Sequence, residues 1–136
     1  MSHAVRRAGI FDFGSCLALL ALLASGRPMS VRGIQAFIAT ETKFLPVYTM
    51  LRRRVLYLAR RGYAKEAGRD ATSTRYELTE RGRKVAIGAL AALSCDEPAR
   101  EWEEPLFRIA ELAKKSLRER DGLAVGCISI KSIKSE

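Results

Sequence analysis

The chain has 136 residues, of which 48% are hydrophobic, and this size suits one globular domain rather than two. The apolar fraction is too high for a chain that is disordered throughout. Lys and Arg number 24 against 15 Asp and Glu, which gives a formal net charge of +9. This excess favours a polyanionic partner, either nucleic acid or, as the weaker choice, an acidic membrane face.

Two details of composition bear on the source and on the redox state. The chain has no Asn and a single Gln, and Arg outnumbers Lys by 17 to 7, which is compatible with a thermophilic source. Cys16, Cys95 and Cys127 are too far apart in sequence for a zinc knuckle or a redox motif. We therefore expect buried, inert thiols, with a disulfide or a redox switch as the alternatives.

The N-terminal segment has a superficial likeness to a secretory signal, because Arg6 and Arg7 precede an apolar run at residues 16–24. Asp12 interrupts the approach to this run, and nine residues are too few to span a bilayer. The leucines of the run occupy nearly every side of a helix, as expected of a helix buried among other elements. We therefore predict an N-terminal arm (residues 1–14), a core helix, and a cytoplasmic protein without a membrane span.

Three helices are predicted before residue 62. Gly26 and Pro28 end the first helix, and Ser30 caps the second. A break at residues 42–44 leads into the third helix, which tolerates Pro46 in its first turn. The apolar stripe predicted for the third helix comprises Val47, Leu51, Val55 and Leu58.

After Gly62 the helical spacing of apolar residues gives way to alternation of apolar and polar residues. This pattern predicts strands at residues 63–67 and 75–79 joined by a polar, partly basic tip. Thr79 caps a fourth helix that reaches about residue 93. After a linker, an amphipathic helix runs from near residue 99 to residue 120, kinked or restarted at Pro105. Residues 122–136 are predicted to form either a short strand or a tail that becomes ordered on contact with a partner.

The basic excess is local. Residues 42–84 carry twelve basic and four acidic groups, a net charge of +8, so the rest of the chain nets only +1. Charge runs are often merely solvated faces. Here, however, Thr49 and Arg53 lie opposite the apolar stripe of the third helix, with Arg52 on its flank. Because an α-helix fits the major groove and a hairpin beside it reaches phosphates or the minor groove, this order favours duplex binding.

The segment from Leu51 to Ala86 resembles the recognition helix, wing and following helix of the PadR and MarR groups of winged helix-turn-helix transcriptional regulators. The matching positions are Leu58, Gly62, Tyr63, Tyr76, Leu78, Thr79, Gly82 and Arg83. The resemblance covers about residues 15–93. It implies a mainly α protein with a small β-hairpin (α+β), in which a winged helix-turn-helix domain (residues 15–95) precedes a C-terminal amphipathic dimerisation helix (residues 96–121). It also implies a homodimeric DNA-binding regulator, usually a repressor.

The resemblance implies that Thr49, Arg52 and Arg53 face the major groove, where Arg can pair with guanine and Thr can meet a thymine methyl or a phosphate. The more modest alternative is that all three contact phosphates only and read no sequence. The predicted contacts of the wing to the sugar-phosphate backbone or the minor groove are Lys65, Arg69 and Arg75. Arg32 and Lys43 are predicted as peripheral phosphate contacts.

The C-terminal amphipathic helix can fold back on the core or pack on its twin in a second chain. The resemblance favours the second arrangement. The dimer interface predicted on this basis comprises Trp102, Leu106, Ile109, Ala113 and Leu117. A crevice near Trp102 could hold an apolar effector, although a tryptophan is more often simple core, and the sequence leaves the existence of an effector open.

Enzymatic function is disfavoured, because the single histidine, His3, cannot form a triad or a multi-histidine metal site. Glu101, Glu103 and Glu104 are better explained as complements of a helix dipole than as metal ligands. We expect no catalytic residue, metal or cofactor. The sequence thus predicts a dimeric regulator on a palindromic operator. The alternative is an RNA-binding or protein-docking winged-helix component of a ribosomal or transcription assembly.

Overall fold

The computed structural model describes residues 12–95, 97–98 and 100–126. His3 and the rest of the arm up to residue 11, and the tail from Cys127 onward, lie outside the described residues. The helices are α1 (Phe13–Ser25), α2 (Val31–Thr42), α3 (Tyr48–Arg60), α4 (Glu80–Ser94) and α5 (Glu104–Asp121), with a 3-10 turn at Glu101–Glu103. The strands are β1 (Met29–Ser30), β2 (Ala64–Arg69) and β3 (Thr74–Leu78). This mainly helical arrangement with a small antiparallel sheet confirms the predicted α+β class.

Helix α1 is the centre of the core. The side-chain oxygen of Asp12 accepts a hydrogen bond from the Ser15 amide at 2.6 Å and starts the helix two residues inside the predicted arm. Gly26 ends the helix in the left-handed conformation, with φ of 66°. Residues 14–23 are all buried, which confirms the prediction of a helix surrounded by other elements. No helix in the described part of the chain has the length and apolarity needed to cross a membrane.

The cysteines have different environments. Cys16 is a free thiol buried in α1, as predicted, and its burial raises the pKa to about 12. Cys95 is disulfide-bonded, so at that position the expectation of an inert thiol is wrong and the alternative of a disulfide is confirmed. The sequence spacing gave no sign of this, because Cys95 has no cysteine near it along the chain.

Helix α5 packs along α1 within the same chain. The stripe formed by Leu106, Ile109, Ala113 and Leu117 is buried there. The assignment of these four residues to a dimer interface is therefore corrected: α1 already covers the face that was expected to meet a second chain. The helix is also tied to α1 at its end, where the Arg120 guanidinium donates to the carbonyl oxygens of Leu23 and Ala24 at 3.1 and 2.9 Å.

Trp102, in the 3-10 turn before α5, lies apart from that stripe. The residue is 45% exposed, so Trp102 is not part of the core, although a tryptophan is more often a core residue. Its ring and the Phe13 ring pack edge to face with their centroids 5.5 Å apart, and the Phe13 and Phe44 rings pack in the same way at 6.1 Å. These contacts connect the start of α5 to the start of α1 and to the turn that follows α2.

All three strands of the small sheet contact helices. Strand order is β1-β3-β2, with both pairs antiparallel. The hairpin β2–β3 was predicted, whereas the two-residue β1, which pairs Met29 with Tyr76, was not. Two residues are too few to show the alternation of a strand in the sequence. This segment counts as a strand only because it pairs with β3.

At the junction from β3 into α4, three of the residues that carry the resemblance, Thr79, Gly82 and Arg83, have structural contacts. The Thr79 hydroxyl accepts from the Gly82 amide at 2.9 Å and donates to the Gly62 carbonyl at 2.6 Å, so it caps α4 as predicted and holds the end of α3. A Cβ atom on Gly82 would lie 1.8 Å from the Tyr63 carbonyl oxygen. Arg83 then pairs with Asp121 of α5 at 2.6 Å.

Candidate nucleic-acid interface

The turn between α2 and α3 is held by several local hydrogen bonds. Lys43 ends α2 in the left-handed conformation, with φ of 64°. The Thr42 hydroxyl accepts from the Phe44 amide at 3.1 Å, and the Gln35 side-chain amide donates to the Pro46 carbonyl at 2.9 Å. These contacts fix the first turn of α3 relative to α2, so the side chains of that turn have a defined direction.

On helix α3, most residues of the predicted apolar stripe are buried, and the residues predicted on the basic side are exposed. Leu51, Val55 and Leu58 are buried, and Thr49, Arg52, Arg53 and Arg60 are exposed. Val47 is the exception. It was predicted in the buried stripe but is 65% exposed, because it is the extended N-cap residue and not part of the helical period.

The hairpin tip is ordered by its own acidic residue. Asp70 accepts hydrogen bonds from the Thr72 and Ser73 amides at 3.0 and 2.9 Å, and from the hydroxyls of the same two residues. The amide contacts are the main cause that lowers the pKa of this exposed carboxyl. The Asp70 amide donates back to the Ser73 carbonyl at 3.0 Å, which closes the tip.

A cleft of about 480 Å³ lies between the start of α2, one side of α3 and the hairpin tip. We call it the basic cleft, because Arg32, Arg52 and Arg69 all line it. Three separate elements supply these guanidinium groups, and the fold brings them together. Arg32 lies over the Tyr48 ring with its Cζ atom 4.0 Å from the ring centroid, a cation-π contact that orients it at the edge of the cleft.

The other predicted backbone contacts are more dispersed. Arg75 lines a neighbouring cleft of about 600 Å³ together with Arg27. Lys65 is paired with Glu77 on the next strand at 3.7 Å. Lys43 lines a separate cavity with Glu41, Glu101 and Glu104, beside the start of α5 and away from the hairpin. The structure therefore brings together Arg32, Arg52 and Arg69, and it does not bring Lys43 to them.

These cations also differ in whether they form ion pairs with carboxylates. On α3, Arg54 lies 3.4 Å from the Asp12 carboxylate. Within the described residues, Arg32, Arg52, Arg53 and Arg69 form no such pair. A polyanion that meets these four groups therefore does not have to displace a carboxylate partner from any of them.

Sequence reasoning missed three features of this region. Tyr48 supports Arg32, Asp70 orders the tip, and Arg27 shares a cleft with Arg75. The Asp-x-Thr-Ser run at residues 70–73 is typical of a turn in which the side chain binds the backbone ahead of it, so Asp70 was open to prediction. The contact of Arg32 with Tyr48 joins residues of two helices that are sixteen positions apart in sequence, so no local pattern predicts it.

Comparison of the chain with models of protein families, with curated proteins and with solved structures finds no match. The resemblance to PadR and MarR regulators therefore stays a prediction from the motif residues. Among the described residues, no three His, Cys, Asp or Glu side chains are placed to hold a metal ion together.

Proposed function

We propose that the protein is a winged helix-turn-helix regulator that binds double-stranded DNA. In this proposal α2, the turn and α3 form the helix-turn-helix, and the β2–β3 hairpin is the wing. The observation that carries it is the basic cleft, where Arg32, Arg52 and Arg69 converge from three elements beside the exposed Thr49 and Arg53 of α3.

The arrangement suits a duplex for a physical reason. A helix inserted in the major groove presents its first turns to the base edges, while flanking elements follow the phosphates on either side. Thr49, Arg52 and Arg53 are then the candidates for base contacts, and Arg32 and Arg69 are candidates for phosphate contacts. Occupancy of a promoter would act by blocking polymerase or a competing activator, which is the behaviour of a repressor.

The first experiment is selection from a random DNA pool, with an RNA pool in parallel and the stoichiometry of the complex measured alongside. We expect enrichment of one defined duplex sequence, in palindromic form if two chains bind it together. Affinity should fall steeply with salt, with a log–log slope of order −5 or steeper for a dimer that touches many phosphates. Enrichment of structured RNA would favour the assembly-component alternative instead.

A matched pair of charge variants locates the binding surface. Arg52→Gln combined with Arg69→Gln removes two cations from the basic cleft, whereas Lys115→Gln combined with Arg118→Gln removes two exposed cations from α5. Both variants lose the same charge. We expect the first to reduce affinity and flatten the salt slope and the second to leave both nearly unchanged, and equal losses would contradict the proposal.

A further inference from the structure

Two large apolar side chains lie uncovered at the start of α3. Leu45 and Val47 are each 65% exposed, the highest values among the large hydrophobic residues that the structure describes. An isolated exposed leucine or valine needs no explanation. These two flank Pro46 in one short turn, so together they form a local apolar surface, which we call the turn patch.

The turn patch is fixed in place. Burial alternates along the turn, because Phe44 and Pro46 point inward while Leu45 and Val47 point outward. The hydrogen bond from the Gln35 side chain to the Pro46 carbonyl, at 2.9 Å, holds the middle of the segment against α2. The two apolar side chains are therefore presented outward by an ordered backbone, at little further cost in conformational entropy on binding.

The position of the turn patch beside α3 bears on which group it would contact in the proposed duplex complex. It adjoins the first turn of α3, where Thr49 is exposed, and Arg53 follows one turn later. In a helix docked in the major groove, this N-terminal end is the part closest to the base edges. The thymine C5-methyl is the apolar group that the major groove displays.

We infer that Leu45 and Val47 contact thymine methyl groups, so that the site read by the start of α3 contains A·T pairs at those positions. This inference rests on the proposed duplex binding and adds the class of base that the turn selects. It assigns base contacts to two residues that carry no charge and no hydrogen-bonding side chain.

The test uses the duplex enriched in the selection, prepared once with thymine and once with deoxyuridine at every thymine position. This replacement removes the methyl groups and leaves the hydrogen-bonding edges unchanged. We expect the protein to bind the thymine duplex about three- to tenfold more tightly, as the loss of one or two buried methyl contacts predicts.

Variants connect the effect to the turn patch. Leu45→Ala and Val47→Ala should weaken binding to the thymine duplex and leave binding to the deoxyuridine duplex nearly unchanged. Leu123→Ala, at another exposed leucine beyond α5, is the matched control and should keep the full preference. Because both target side chains are exposed, unfolding curves of the variants should match that of the parent chain.

Several results would overturn the inference. Equal affinity for the two duplexes, or an enriched site without thymine, would remove the methyl contact while leaving duplex binding intact. Variants that dissociate a dimer without changing the thymine preference would make the turn patch an interface between copies. Failure to bind any duplex would overturn both this inference and the proposed function.

Discussion

Helices α3 and α5 have the same kind of pattern and different surroundings. Each buries one apolar stripe in the core of the chain. On α3 the exposed charged side chains at Arg52, Arg53 and Arg60 are all cationic. On α5 the outward face mixes signs, as in the pair of Lys114 with Glu111 at 2.8 Å. An apolar stripe therefore identifies the buried face of a helix but not what covers it. The sign of the charge on the opposite face is the feature from which we propose a partner outside the chain.

The largest expected effect tests the core assignment of α5. Leu106→Ala should lower the free energy of unfolding by about 2–5 kcal/mol, because it opens a cavity between α5 and α1. Thermal unfolding at several protein concentrations is the measurement, and the midpoint shift should be independent of concentration. Leu123→Ala, at an exposed position, is the control. A shift that grows on dilution would restore the dimer interface for this stripe.

The next effect concerns the junction that carries α4 away from the hairpin. Gly82→Ala should destabilise the fold, near the upper end of about 1–3 kcal/mol, because the new Cβ would overlap the Tyr63 carbonyl oxygen. Gly88→Ala, in the same helix with open space around it, should stabilise by up to about 1 kcal/mol. Denaturant unfolding of both variants checks the contrast. Equal changes at the two glycines would contradict the close approach at Gly82.

The basic side of the comparison is tested by two arginines with different expected roles. Arg53→Ala should weaken binding to the enriched duplex by about 1–3 kcal/mol and relax base preference, because it removes a groove contact. Arg69→Ala should weaken specific and random duplexes alike, since a phosphate contact carries no sequence information. Titration of both duplexes gives the two ratios, with Arg118→Ala of α5 as the control. If both substitutions weakened the specific and the random duplex equally, Arg53 would be a contact to the sugar-phosphate backbone of DNA and not to a base.

The smallest effect lies in the hairpin tip. The native pKa of Asp70 is below its ordinary value of 3.8, so its hydrogen bonds stabilise the tip above that pH. They are lost as the pH falls through the lower native pKa. The amide resonances of Thr72 and Ser73 should therefore titrate together with a midpoint below 3.8. Asp70→Ala should abolish this titration, and a midpoint at or above 3.8 in the parent chain would contradict the geometry.

Local patterns were sufficient for much of the fold. The caps at Ser30 and Thr79, and the buried set of α3 at Leu51, Val55 and Leu58, follow from residues within a few positions of each other. Val47 was misassigned because the helical period was extended one residue too far, onto the N-cap. Strand β1 was missed because two residues show no period.

The candidate site also has some features that local sequence patterns predict and others that they do not. The sequence located the excess of positive charge, and the exposure of Thr49, Arg52 and Arg53 follows from the helical period. It could not show that Arg32 and Arg69 line one cleft with Arg52, or that Lys43 lies beside the carboxylates near α5. Those placements depend on how α2, α3 and the hairpin pack.

The sequence by itself determined the helices, the hairpin, their caps and the segment that holds the charge, because these depend on periodicity and on hydrogen bonds between near neighbours. Only the tertiary structure decided that α5 packs on α1 within one chain and that three distant arginines share a cleft. An amphipathic helix gains about the same free energy from burying its stripe against its own chain as against another, so the pattern cannot choose between them.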